Sequence, residues 1–197
     1  MRKGREMQVL RAADHRRMAW KNGGGETTEV AVSPPDAGLG DFDWRVSMAR
    51  VETDGPFSGF DGIDRTLAVL DGAGLILAVE GREPAELLGQ SEPLAFPADL
   101  PTRAMLIAGP ITDLNVMTRR GRLQHRLYRH ELDGAAELPV AAETVLLLCH
   151  SGELLVTSSG ETARLGPLDA AIVGPEALRV EGKARFYVAA IGRDVSV

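Results

Sequence analysis

Between Trp20 and Val30 the chain reads WKNGGGETTEV: a lysine and an asparagine, three consecutive glycines, then a run of strand-forming residues. Such a segment can gather the amides of Gly23, Gly24 and Gly25, the Asn22 side chain and the Lys21 ammonium at one point, which suits a carboxylate or carbonyl oxygen. It is not a phosphate loop, because the lysine precedes the glycines and no helix follows them. It is not a dinucleotide fingerprint either, since no βαβ unit surrounds it. The plainer role is a bend leading into a strand, for which one or two glycines suffice.

Three other stretches carry polar groups at strand spacing, where alternate residues share a face. In TTEVAV, Thr27 and Glu29 oppose Thr28, Val30 and Val32. In WRVSMA, Arg45 and Ser47 oppose Trp44, Val46 and Met48, and in DLNVM, Asp113 and Asn115 oppose Leu114 and Val116. On an open sheet these polar faces would be solvated. In a small barrel they would line a cavity, with Arg45 offering a two-pronged match to a carboxylate.

The elements that must position these groups are strands. Short β-type runs such as ETTEVAV, DWRVSMARV, TLAVL, LILAV, DLNVM, TVLLLC and ARFYVAAI follow one another between Gly, Pro, Asp and Ser, which predicts an all-β sandwich or barrel. Helical periodicity is weak, the best candidate being a short helix at 84–88. The stretch SPPDAGLGDFD reads as a loop. An internal repeat sets TLAVLDGAGLILAVEG (Thr66–Gly81) over TVLLLCHSGELLVTSSG (Thr144–Gly160), each a strand, a tight glycine turn and a strand. A duplicated β unit explains it, with linker composition at 131–143 dividing the chain into residues 1–130 and 131–197.

Composition narrows the function. The net charge of −6 argues against a nucleic-acid partner, and 44% hydrophobic residues with 25% charged is ordinary for a globular chain. The run RRGRLQHRLYRH carries five arginines and reads as a solvated strand edge. A single cysteine, Cys149, excludes an internal disulfide framework and a cysteine-cluster zinc site. The charged N-terminus is no secretory signal, and no apolar run reaches the roughly 20 residues of a membrane helix. The expectation is a cytoplasmic protein without a membrane partner, whose exposed strand edge allows pairing into a homodimer. The four histidines show no metal-ligand spacing: His125 and His130 would point to opposite faces of one strand, His15 lies in a polar segment and His150 beside a turn.

Taken together, WKNGGGETTEV, WRVSMARVETDGPFSGFDGIDR, VLDGAG and GPITDLNVMTRR resemble the HutD/Ves family, in clear blocks from Met7 to Arg120 and as a thinner β pattern beyond. The resemblance implies a bicupin: two small β-barrels in one chain, the N-terminal lobe with the glycine-rich loop and a ligand pocket, the C-terminal lobe smaller. It also implies association with bacterial histidine-utilisation operons, in a regulatory role that senses a pathway intermediate. Cupins often bind a metal through histidines and an acid. At the matching positions this chain has Phe57, Ser58 and Arg65, with Thr102 and Arg179 later, so no metal and no other cofactor is expected.

The expected function is therefore metal-free binding of a small anionic metabolite. Lys21, Asn22, Gly23, Gly24, Gly25, Thr27, Arg45, Ser47, Ser58, Arg65, Asp113 and Asn115 would supply the polar contacts, with Phe57 and Phe60 as apolar wall. Urocanate and formylglutamate are the ligands the resemblance suggests. Two alternatives remain: a metal-independent isomerase or hydrolase using Asp113 or Glu29 as general base, and an interaction module with a vestigial pocket.

Overall fold

The computed structural model describes residues 6–20, 23–139, 142–193 and 195. Among them strands dominate, with one short 3-10 turn at Ala12–Asp14 and no α-helix. The strands are β1 (Gln8–Leu10), β2 (Arg16–Ala19), β3 (Gly25–Ser33), β4 (Trp44–Val51), β5 (Gly55–Pro56), β6 (Ile63–Asp71), β7 (Leu75–Val79) and β8 (Ala85–Leu87). They continue with β9 (Leu94–Pro97), β10 (Thr102–Leu106), β11 (Ile111–Arg119), β12 (Gln124–Leu138), β13 (Thr144–Ser158), β14 (Glu161–Leu165), β15 (Ala170–Val173) and β16 (Leu178–Gly192). No helix of the described residues is long and apolar enough to cross a membrane.

The chain divides into two compact units, one formed by Arg16–Arg122 and the other by residues up to His15 together with those from Leu123 onward. The boundary expected at 130/131 instead falls inside β12, whose fifteen residues pair continuously with β16. Its GAAEL stretch has the composition of a linker, but ladder pairing with Glu137↔Arg179 and Leu138↔Leu178 holds it extended.

In the unit of Arg16–Arg122, one sheet has the order β2-β3-β4-β11-β6-β9 and the other β5-β10-β7-β8. Both are open; the closed barrel that the strand count suggested does not form in the pairing. An apolar core including Leu67, Val69, Leu75, Leu77, Val79 and Phe96 draws on strands of both sheets. Alternation explains it: along β7, Leu75, Leu77 and Val79 are buried while Ile76 and Ala78 are only partly covered. The second unit is built on the order β1-β15-β13-β16-β12, with β14 on β13, around a core that includes Leu147, Cys149, Phe186 and Val188.

Three local expectations change. Residues 85–87 are strand β8, paired with Leu75–Leu77 of β7, rather than helix. The two repeated segments are not hairpins. The first crosses from β6 in one sheet to β7 in the other, and the second is the single strand β13, which absorbs His150 in a bulge between Cys149 and Ser151. A bulge between Glu29 and Ala31 also shifts β3, so that Val32 pairs with Arg45 and joins the face of Thr27 and Glu29 instead of opposing it.

Candidate functional site

One face of the larger sheet in the Arg16–Arg122 unit carries the polar set. Cross-strand register places Arg45 opposite Met117 and Met117 opposite Arg65, Ser47 opposite Asn115, and Ala49 opposite Asp113. Residues directly opposite share a face, so strict alternation on β4, β11 and β6 delivers all of them to the same side. Arg45, Ser47, Asp113 and Asn115 are buried, and Asp113 is fully inaccessible. They line a recess of about 550 Å³ together with Arg65, Thr27, Phe57, Ser58 and Phe60. The sheet face therefore lines a half-open recess rather than standing in bulk solvent.

Buried charge needs partners, and the recess supplies them in two sets. Arg45 donates from Nε to Glu29 Oε2 at 2.7 Å and from Nη1 to Ser47 Oγ at 3.4 Å. Arg65 donates from Nε to Asn115 Oδ1 at 2.8 Å and again from Nη2, and Asn115 passes the interaction on by donating Nδ2–H to Asp113 Oδ1 at 2.5 Å. The Arg65 guanidinium also lies over the Phe57 ring, 4.5 Å from its centroid. The last oxygen in the chain, Asp113 Oδ2, is buried with no hydrogen-bond partner. Burial pushes the Asp113 carboxyl up to about 6, against the opposing pull of Arg65 and of bonds from Asn115 and Ala49. Burial likewise brings Arg65 down to about 10, with Asp113 raising it and the neighbouring charge of Arg45 lowering it further. Two guanidiniums that repel one another, the Glu29 carboxylate that holds Arg45 and the Asp113 carboxyl with its unpartnered oxygen thus share one recess.

A titration consequence follows from Asp113. Its folded value of about 6 exceeds its ordinary value of 3.8, so the folded state holds a proton that the unfolded state releases between those limits. Stability should fall as pH rises from 4 through 6. Asp113→Asn, which fixes the neutral form, should raise stability by about 2–3 kcal/mol at pH 7 and bring little gain at pH 4, as read by urea denaturation at both values.

The glycine segment plays a different part from the one its composition suggested. None of Gly23, Gly24 and Gly25 lines the recess. They form the turn of the β2–β3 hairpin, in which Gly23 N donates to Trp20 O and Trp20 N to Gly25 O. Gly25 pairs with Val51 and Arg45 with Val32, which puts the turn roughly 20 Å along the strand from Arg45. Lys21 and Asn22 lie outside the described residues. The segment reaches the recess through its flanks: Trp20 lines it and donates Nε1–H to Thr27 Oγ1 at 2.8 Å, fixing that hydroxyl.

Met18, Trp20, Leu39, Pro56 and Met117 also line the recess and escaped the sequence reading. Glu29, which grips Arg45, was read from its alternation with Thr27 and as an alternative general base, not as the partner of an arginine. Elsewhere, Cys149 is buried, and burial followed by the charges of Asp169 and Glu153 pushes its thiol up to about 11, which leaves it unreactive.

A metal does not fit here. Among the described residues no three His, Cys, Asp or Glu side chains could hold one. In the recess the carboxylates Glu29 and Asp113 each answer a guanidinium, and two fixed cations oppose a third.

Sheet order and site together describe an all-β protein of cupin-like fold, with a half-open recess of mixed charge in the Arg16–Arg122 unit. The chain belongs to the HutD family, whose model matches residues 12–189. It is 38% identical over 178 residues to an uncharacterised 21.2 kDa Pseudomonas putida protein from the region 3′ of hutC, covering 90% of this chain and 88% of the relative. Protein Ves of Citrobacter koseri is 37% identical over 110 residues, 55% of this chain and 56% of Ves. A conserved Pseudomonas aeruginosa protein of unknown function superposes with a TM-score of 0.89 at 32% identity, covering 95% of this chain and all (100%) of the other. HutD from Pseudomonas fluorescens, solved in a formate condition, gives 0.81 at 35% identity, with 96% and 100% covered. An oxalate decarboxylase of Bacillus subtilis gives 0.67 at 10% identity, with 95% of this chain and 78% of the decarboxylase covered, a likeness of fold alone.

Proposed function

We propose that this protein is a metal-free binding protein for a small carboxylate metabolite, which it senses to modulate histidine utilisation. In this reading its two units are the lobes of a bicupin, each a flattened, incompletely closed barrel, and only the N-terminal one holds ligand. The observation that carries the proposal is the pairing of two buried, mutually repelling guanidiniums, Arg45 and Arg65, in one recess with the unpartnered oxygen of Asp113. An anion placed between the arginines relieves their repulsion and accepts charge-assisted hydrogen bonds in low dielectric. Ligand binding should raise the proton affinity of Asp113, so that its protonated oxygen donates to the same anion. The relative from the region 3′ of hutC and the HutD structure supply the histidine-utilisation context, and urocanate and N-formylglutamate are the ligands to try first.

Thermal unfolding across a panel of such acids provides the test. A true ligand stabilises the fold by about 2.7 kcal/mol at a concentration 100 times its dissociation constant, saturably, and more strongly at pH 6 than at pH 8. A panel in which no acid shifts the transition ends the proposal. The raised Asp113 value favours one other reading, general-base catalysis on the bound acid. Turnover that disappears in Asp113→Asn while binding persists would select it.

A further inference from the structure

The recess is much larger than the group its arginines would hold. A carboxylate occupies on the order of two water volumes, about 60 Å³, whereas the recess encloses about 550 Å³. The remainder is walled differently from the charged end, by Met18, Trp20, Leu39, Pro56, Phe57 and Phe60. Phe57 joins the two regions, because its ring already lies against the Arg65 guanidinium.

Leu39 is the unusual member of this wall. It lines the recess and yet is 59% exposed, the most exposed large apolar side chain among the described residues. It is held at the tip of an anchored turn: Asp41 N donates to Gly38 O at 3.1 Å, and Arg119 donates to Gly40 O at 2.8 Å and to Phe42 O at 3.1 Å. A leucine fixed in water at the edge of an aromatic cavity is stabilised by an apolar body beneath it.

Charge limits the body further. Among the described lining residues the cations are Arg45 and Arg65, which flank Met117 in one row across the sheet and so serve a single end of the recess. A second carboxylate on the ligand would meet aromatic rings without a cation.

We propose that the recess selects monocarboxylates with a flat, apolar body over dicarboxylates, the body lying between Trp20 and Phe57 and covered by Leu39. The inference rests on the binding role proposed above and, of the two acids tried first there, favours the monocarboxylate urocanate over the dicarboxylate N-formylglutamate. Trp20 supplies the readout, since the other tryptophan, Trp44, is buried on the opposite face of β4.

The experiment titrates the full chain with acetate, glutarate and trans-cinnamate at one pH and ionic strength, following Trp20 fluorescence and confirming by calorimetry. Cinnamate should bind about tenfold or more tightly than either other acid, the gain expected from burying a few apolar groups. Leu39→Ala should weaken cinnamate several-fold and leave acetate unchanged, with the melting temperature of the free protein unaltered because the side chain is exposed. Glutarate binding as tightly as cinnamate, or cinnamate affinity indifferent to Leu39→Ala, overturns the selectivity while leaving carboxylate binding intact. Failure of all three acids to bind removes both.

Discussion

Arg65→Ala should destabilise the protein by about 3–5 kcal/mol at pH 7, the cost of leaving a buried charge without its partner. The side chain is 93% shielded, and its loss removes both hydrogen bonds to Asn115 and the cation that opposes the burial of Asp113. Asp113 can escape only by taking a proton, so the loss should shrink towards pH 5 and deepen towards pH 8. Arg65→Lys should recover part of the stability, because it restores a charge but neither the fork on Asn115 nor the planar contact with Phe57. Arg65→Met combined with Asp113→Asn removes the stranded carboxylate as well and should fold near wild-type stability, yet bind carboxylates at least 100-fold more weakly. Denaturant melts and calorimetry on these three variants separate the arginine's part in the fold from its part in binding. Wild-type affinity in the double variant would assign Arg65 to stability alone.

Gly25→Ala should destabilise by about 3 kcal/mol or more, because no rotamer relieves the clash. A methyl group at that position would lie 2.1 Å from the carbonyl oxygen of Arg50 and 3.1 Å from the Trp20 ring, so β3 would have to separate from β4. Gly23→Ala is the control. Gly23 has φ +70 but open space around it, and only the left-handed backbone opposes a side chain there, at about 1–2 kcal/mol. A thermal melt of the two variants should show this order. Equal and small effects would mean that the hairpin is not held by close approach at Gly25.

Much of this was legible because strand alternation is local. Arg45, Ser47, Asp113 and Asn115 lie on regular stretches of β4 and β11, where knowing one residue's face gives every other. The same rule failed at Val32, since a bulge adds a residue that only the partner strand reveals. Glycine could not be read so directly. A bend that cradles a ligand and a bend that lets two strands touch demand the same residue, and only the Arg50 carbonyl beside Gly25 tells them apart. Trp20 and Met18 were missed because β2 is four residues long, too short to show a period. The unit boundary was missed because Gly and Ala within β12 owe their conformation to β16, far along the chain. Leu39 sits in a loop, where sequence gives no direction to a side chain.

The order in which the chain leaves the ribosome matters for one of these units. Strand β1 pairs with β15, Gln8 opposite Ile172 and Leu10 opposite Ala170, and Arg11 donates to Asp169 at 2.7 Å. At ordinary elongation speeds of about 5–20 residues per second, β1 waits on the order of 10–30 s for its neighbour to be made. All of Arg16–Arg122 emerges in that interval, so the recess-bearing unit can form first, as an insert between β1 and the strands that complete the other unit. A ligand present during translation would then meet a finished recess before the protein is whole.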